Sequence, residues 1–354
     1  MRPANPFPAN SPGLADLSPA NFGFVMATGI VSIAAWMLGH PALARALLYI
    51  NVAGYGVLWL LTLLRLMHHP RRFGADLTDH LRGPGSFTVV AGTGVLGSQC
   101  MLLADNQSVA YAMWWVTVAL WLVLIYGVLA ALTIKARKPA LGQGINGVWL
   151  LAVVATQSIA VLGVLLAPGL PVDQRVAMHF LALALWLWGG MLYIWIMALI
   201  FYRYTFFSLA PEELTPPYWI NMGAMAISTL AGALLVDAAP QAPFLQSMLP
   251  FIKGFTLFYW ASGSWWIPML LVLGVWRYVV QRFPLRYDPM YWGAVFPLGM
   301  YAVCTLDLIR ALELGFIAWL PPLFGLAAAL AWELAFAGLV HHAWRWLRLR
   351  LTRP

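Results

Sequence analysis

The sequence predicts an all-α polytopic membrane protein, with ten transmembrane helices forming five helical hairpins around a central pore of quasi-five-fold symmetry. Three observations carry this expectation. Of 354 residues, 62% are hydrophobic and 9% charged, against roughly 25% charged in a soluble domain, so lipid must replace water over most of the surface. Apolar segments of about twenty residues, the length that crosses a hydrocarbon core, follow one another along the chain. The odd-numbered segments also share an opening pattern that the even-numbered ones lack.

By length and hydropathy the spans fall near 19–39, 42–67, 86–104, 108–134, 147–167, 175–204, 217–238, 247–280, 290–314 and 315–346. The transport domain is thus 19–346, between an N-terminal segment, 1–18, and a basic tail, 347–354. Residues 1–18 hold one Arg and no apolar core of a signal peptide, so the first span is expected to direct insertion. Nineteen Trp, thirteen Tyr and eighteen Phe suit the headgroup level, where Trp and Tyr concentrate.

Charge tests the ladder independently. Placing both termini and the longer loops on one side collects Arg2, Arg65, Arg71, Arg72, Arg82, Lys135, Arg137, Lys138, Arg203, Arg277, Arg282, Arg286, Arg345, Arg348, Arg350 and Arg353. Only Arg45, Arg175, Lys253 and Arg310 fall toward the other side. Cytoplasmic loops are enriched in Lys and Arg, which puts both termini in the cytoplasm and the protein in the inner (plasma) membrane. An odd number of spans would spoil this separation. The net charge of +8 is explained by these loops, and no nucleic-acid partner is expected. Cys100 and Cys304 lie inside apolar segments without metal or CxxC spacing and read as small core residues; no metal or cofactor is expected.

The repeat is the most informative feature. Each odd span opens on an aromatic residue, usually after a Pro, and runs into small or hydroxylated residues. The first reads Pro19-Ala20-Asn21-Phe22, then Met26 to Gly29; the third Pro84-Gly85-Ser86-Phe87, then Ala91 to Gly94. The fifth carries Trp149, then Thr156, Gln157 and Ser158; the seventh Pro217, Trp219, Gly223 and Ser228; the ninth Pro289, Trp292, Phe296, Pro297 and Gly299. The anchor aromatics are 65, 62, 70 and 73 residues apart, one hairpin each. Even spans such as the fourth and sixth are dense in Leu, Ile, Val and Trp, as a lipid-facing surface requires. Five odd helices ringed by five even ones would enclose a pore. The plainer alternative is that the small residues only pack helix on helix.

Such a path would carry no charged residue at mid-depth. Its polar groups would be Thr28, Ser32, Thr93, Ser98, Gln99, Thr156, Gln157 and Ser158, which can hydrogen-bond a partly dehydrated anion without trapping it. Phe24, Gly29 and Gly92 join Thr28, Thr93, Gln157 and Ser158 as expected pore lining. Phe296 precedes Pro297, where the helix loses a backbone hydrogen bond and bends; pointing inward, it would close the pore. An ordinary packed Phe is the alternative. Among the acids only Glu333 looks deeply embedded, as a proton-coupling group or as a carboxyl tying an outer helix to its neighbours. Asp307, Arg310 and Glu313 share one face and read as a surface salt-bridge row, with Arg310 also placed to attract anions. Lys253 could snorkel outward or serve the same end. His68-His69 and His341-His342 point apart on their helices and read as interfacial groups. A membrane-embedded enzyme would need a cluster of His, Asp, Glu or Arg at one face, and only basic loop residues cluster.

The stretch Phe22-Gly23-Phe24-Val25-Met26-Ala27-Thr28-Gly29-Ile30-Val31-Ser32, together with Trp292-Gly293-Ala294-Val295-Phe296-Pro297-Leu298-Gly299 and the five hairpins, resembles the tellurite-resistance/C4-dicarboxylate transporter family. That family includes bacterial TehA proteins, fungal malate and sulfite transporters and plant slow-type anion channels. The resemblance spans about 19–346. It implies a homotrimer with one pore per protomer, a gate at Phe296 set by the kink at Pro297 and Gly299, and a small anion as substrate: malate or another dicarboxylate, sulfite, chloride or nitrate. A proton-coupled C4-dicarboxylate carrier using Glu333 is the alternative. The absence of long tails departs from the plant channels.

Overall fold

The computed structural model describes residues 13–285 and 287–351. Arg2, Arg286 and Arg353 lie outside the described residues. Among the described residues, ten helices are long and apolar enough to cross a membrane: α1 Pro19–Met37, α2 Pro41–His68, α3 Gly83–Ala104, α4 Gln107–Ile134, α5 Gly147–Gly169, α6 Val172–Phe206, α7 Pro216–Gln241, α8 Leu249–Val280, α9 Pro289–Leu312 and α10 Gly315–Arg345. No strand occurs among these residues. The bounds follow the hydropathy reading closely. The helix of α10 continues to Leu351, so the first residues of the basic tail extend the last span.

Burial divides the helices into two rings. Over their most apolar stretches the odd helices are 72–94% buried and the even ones 17–50%. Each odd helix packs on the next, α1 on α3, α3 on α5, α5 on α7, α7 on α9, and α9 returns to α1. This closed ring of five is the inner wall. Each even helix lies against its own odd partner and reaches the next one around. The small residues of the inner helices permit the close approach: a β-carbon at Gly92 would stand 3.3 Å from the Phe22 carbonyl oxygen, and one at Gly299 3.0 Å from Ile30.

Every inner helix begins with a short 3-10 turn, at Pro19–Phe22, Gly83–Ser86, Gly147–Leu150, Pro216–Trp219 and Pro289–Tyr291. Proline at the first helical positions costs nothing, because its missing N–H would have no partner there. Side-chain caps help: Ser18 accepts from Ala20 N–H, Asn146 from Val148 N–H and Asp288 from Met290 N–H. The five turns touch in sequence and close a second, smaller ring. The face where they lie is here the near face, and the opposite one the far face.

Two repeated fastenings hold the rings together. The first joins neighbouring hairpins. Tyr55 of α2 donates to Thr93 of α3 (3.0 Å), Trp121 of α4 to Thr156 of α5 (2.9 Å) and Trp186 of α6 to the Ser228 carbonyl of α7 (2.8 Å). Trp260 of α8 donates to Thr305 of α9 (3.0 Å), and Trp332 of α10 to Thr28 of α1 (2.9 Å). Each outer helix is thereby bonded to the inner helix of the following hairpin, and the fifth closes on the first. In lipid a buried aromatic N–H or O–H needs such a partner.

The second fastening closes each hairpin on itself at the near face. A cation at the end of the outer helix donates to a carbonyl just ahead of that hairpin's inner helix: Arg65 to Ala15 (3.2 Å), Lys135 to Thr78 (2.7 Å), Arg203 to Gly142 (2.9 Å) and Arg277 to Leu214. In the fifth hairpin the Tyr287 ring rests instead on Gly338 and beside His342 of α10. Basic residues that served only to set orientation in the sequence reading are thus half of a structural repeat.

Candidate functional site

Two cavities lie on the axis of the inner ring, each walled by all five inner helices. The far cavity, about 400 Å³, is bounded at its inner end by Ile30, Gly94, Ser158, Ile227 and Met300. It opens past Trp36, Asp237, Asp307 and Arg310 at the far face. The near cavity, about 20 Å³, lies inside the ring of 3-10 turns, with Met26, Leu151, Ile220 and Phe296 among its walls. No residue borders both. From Met26 to Ile30, and from Phe296 to Met300, is one turn of helix, so the path is shut over about that depth.

Phe296 is 1% exposed, and its ring is part of the wall of the near cavity. The helix that carries it contains a proline. Pro297 interrupts the hydrogen bonding of α9, and α7 presents Gly223 to it: a β-carbon there would stand 2.7 Å from Pro297 Cγ. Gly299, two residues on, lies against Ile30 of α1. Pro297 and Gly299 thus pack against two inner helices, α7 and α1, beside Phe296.

Of the seven residues expected to line the pore, Ser158 borders the far cavity, where the Ser98 hydroxyl joins it; both donate to carbonyls of their own helices. The other six border neither cavity. Phe24 packs edge-on against Trp292 at 5.1 Å and fills the notch over Gly54 of α2. Thr28 and Thr93 face the outer ring, bonded to Trp332 and Tyr55. Gln157 donates to the Trp186 carbonyl (3.0 Å) beside Gly189. Gly29 lies against Val95 and the Asn51–Gln99 pair, and Gly92 against Val25. The physical reason is common to the three polar ones, Thr28, Thr93 and Gln157. A hydroxyl or amide in hydrocarbon is worth most to the fold when it satisfies a buried partner, and the outer aromatics supply those partners. What faces the axis is therefore apolar: Ile30, Val95, Val161, Ile227, Met300 and Val303.

The charged groups also sort differently. Asp307 is nearly buried, its side chain 11% exposed, and accepts from Arg310 at 3.1 Å. Glu313 lies past the end of α9 in a left-handed conformation (φ 57°) and does not continue the row. Asp237 of α7 borders the same mouth, and the sequence reading did not single it out. A heptad count from Leu230 would have put it on the lumen face. Lys253 of α8 acts on Asp237 but borders neither cavity. Glu333 is exposed on α10. Among the described residues it borders neither cavity, whereas its neighbour Trp332 is buried. At the near face, burial and then Lys135 hold the His80 imidazole below its usual pKa.

Comparison with known proteins bears on the whole chain. The SLAC1 family, described as "Voltage-dependent anion channel", matches residues 16–340. A membrane protein of Mycobacterium tuberculosis, named as uncharacterized, is 39% identical over 151 residues, which is 43% of this chain and 76% of that relative. Two proteins of Methanocaldococcus jannaschii named as uncharacterized transporters are similar over most of their length. One is 26% identical, covering 80% of this chain and 82% of its own; the other is 25% identical, covering 81% and 82%.

Proposed function

The chain belongs to the SLAC1 family of anion transporters and channels, and from that premise we propose that it passes small anions along the axis of the inner ring, with Phe296 as the gate. The observation that carries this reading is the pair of axial cavities, each walled by all five inner helices and parted at the level of Phe296. Two features make the passage suited to anions. Among the described residues the carboxylates on the cavity walls, Asp237 and Asp307, stand at the far mouth and none lies deeper, whereas a cation path is normally ringed by acids. The near face gathers the Lys and Arg that mark a cytoplasmic surface, so anions are concentrated at that mouth and both termini are cytoplasmic.

The walls also favour one kind of anion. Inside the mouth where Asp237, Asp307 and Arg310 stand, the far cavity offers two serine hydroxyls and otherwise mostly hydrocarbon, so little replaces the water an ion sheds. Nitrate and chloride lose less hydration than sulfite or malate dianions and pass more readily through such a lumen. The passage is complete within one chain, so a homotrimer would carry three of them.

The test is flux of nitrate, chloride, sulfite and malate into liposomes holding the purified protein, wild type against Phe296→Ala. Flux that rises for the monoanions when the ring is removed supports the gate. Equal, negligible flux in both proteins for all four anions overturns the reading.

A further inference from the structure

Asp307 and Arg310 are neighbours on one face of α9 at the far mouth, and their exposure is unequal: the carboxylate is 11% exposed and the guanidinium 61%. Both border the far cavity, as does Asp237 from α7. Arg310 is thus the one cation among the described residues that border the far cavity, where the other charged groups are acidic. A guanidinium free to fold into this space would bind an anion strongly, since apolar walls exclude the water that weakens charge–charge attraction. Conduction fails when binding is too strong to release the ion. The 3.1 Å bond to Asp307 prevents this in two ways. It draws the guanidinium to the wall, and it sets a negative charge beside it.

We propose that Asp307 is a selectivity-determining residue of the passage: by holding and neutralising Arg310 at the rim, it keeps the far cavity weakly binding and disfavours doubly charged anions. This rests on the passage reading above. An anion meets the mouth with an energy proportional to its own charge, so any change in mouth charge acts twice as strongly on a dianion. The ratio of affinities for a dianion must therefore change as the square of that for a monoanion.

The experiment measures the half-saturating concentration for flux of nitrate and of succinate at low ionic strength, where screening is least. It uses liposomes and a Phe296→Ala background that keeps flux measurable. One unit charge about 6 Å from the ion in a water-like medium is worth about threefold for nitrate and about tenfold for succinate. Asp307→Asn is expected to lower the two values by those factors and to reduce maximal flux of succinate. Arg310→Ala, at an exposed position, is expected to raise them. The double variant restores the mouth charge and should return both to within about twofold of the starting protein. Equal shifts for the two anions, no shift, or a double variant that does not revert would overturn the proposal while leaving the passage intact. If no anion crosses in any variant, the passage reading fails and this proposal falls with it.

Discussion

Gly223 of α7 carries the pyrrolidine ring of Pro297 of α9 on its bare backbone, with 2.7 Å between a would-be β-carbon and Pro297 Cγ. The adjacent side chain is Phe296. Where the kink sits therefore decides where the aromatic ring sits, and a methyl group at Gly223 has no room unless α9 moves.

Gly223→Ala should shift the kink and dislodge Phe296, at a cost in stability of about 1–3 kcal/mol for overpacking. Nitrate flux into liposomes is expected to rise. In the Phe296→Ala protein, where no ring remains to be displaced, the same substitution should change flux less than about twofold. A full effect in both backgrounds would mean that Gly223 acts elsewhere.

The two kinds of arginine should respond in opposite measure to removal. Arg203 is buried and engages Gly142, Tyr218 and Glu213 together. Arg203→Ala removes the cation that joins those groups and is expected to cost about 3–5 kcal/mol, with Arg203→Lys recovering only part, since an ammonium's donors radiate from one nitrogen and do not span the positions that the guanidinium fork reaches. Arg310→Ala breaks a pair whose cation is 61% exposed and should cost under about 1 kcal/mol. Thermal unfolding of the detergent-solubilised proteins separates the two.

Trp332→Phe keeps the ring stacked on Phe336 and removes only the donor to Thr28. The expected loss is about 1 kcal/mol, seen as a lower melting temperature. Thr28→Val should give a similar loss, and the double variant less than the sum of the two. Full additivity would show that the bond contributes nothing of its own.

His80 should make the near face sensitive to acid. Its imidazole is held below the ordinary value by burial and by Lys135, so the unfolded chain binds the proton more readily. Stability contributed by the neutral ring is complete above about pH 6.5, the unfolded value, and declines as pH falls below it. Melting temperatures at pH 7.5 and 5.5 should differ more in the wild type than in His80→Gln; an equal difference would remove His80 from the account.

The architecture was legible because its causes are local. Span length, the Pro-aromatic openings and the sidedness of Lys and Arg each act within one segment, and together they define ten helices in two classes. The lumen was much less so. Thr28, Thr93 and Gln157 look like pore groups when only their own helix is read. Which way such a group turns depends on whether a donor or acceptor stands behind it, and Trp332, Tyr55 and Trp186 all come from other helices, the first two from other hairpins. Ser158 and Ser98 differ because their hydroxyls are satisfied by their own helices and make no demand on the outer ring. Asp237 and Asp307 were undervalued for a related reason: near a helix end the sequence does not reveal that a cavity reaches down to them.

The bond from Trp332 to Thr28 spans 304 positions, and its timing in synthesis differs from that of the other four fastenings. Those form as soon as the next hairpin emerges, whereas the first helix keeps an open flank until the last one is made. A chain interrupted before α9 lacks the helix that joins α7 back to α1. The inner wall is complete once α9 packs on α1, and the last outer helix then fastens over that seam through Trp332.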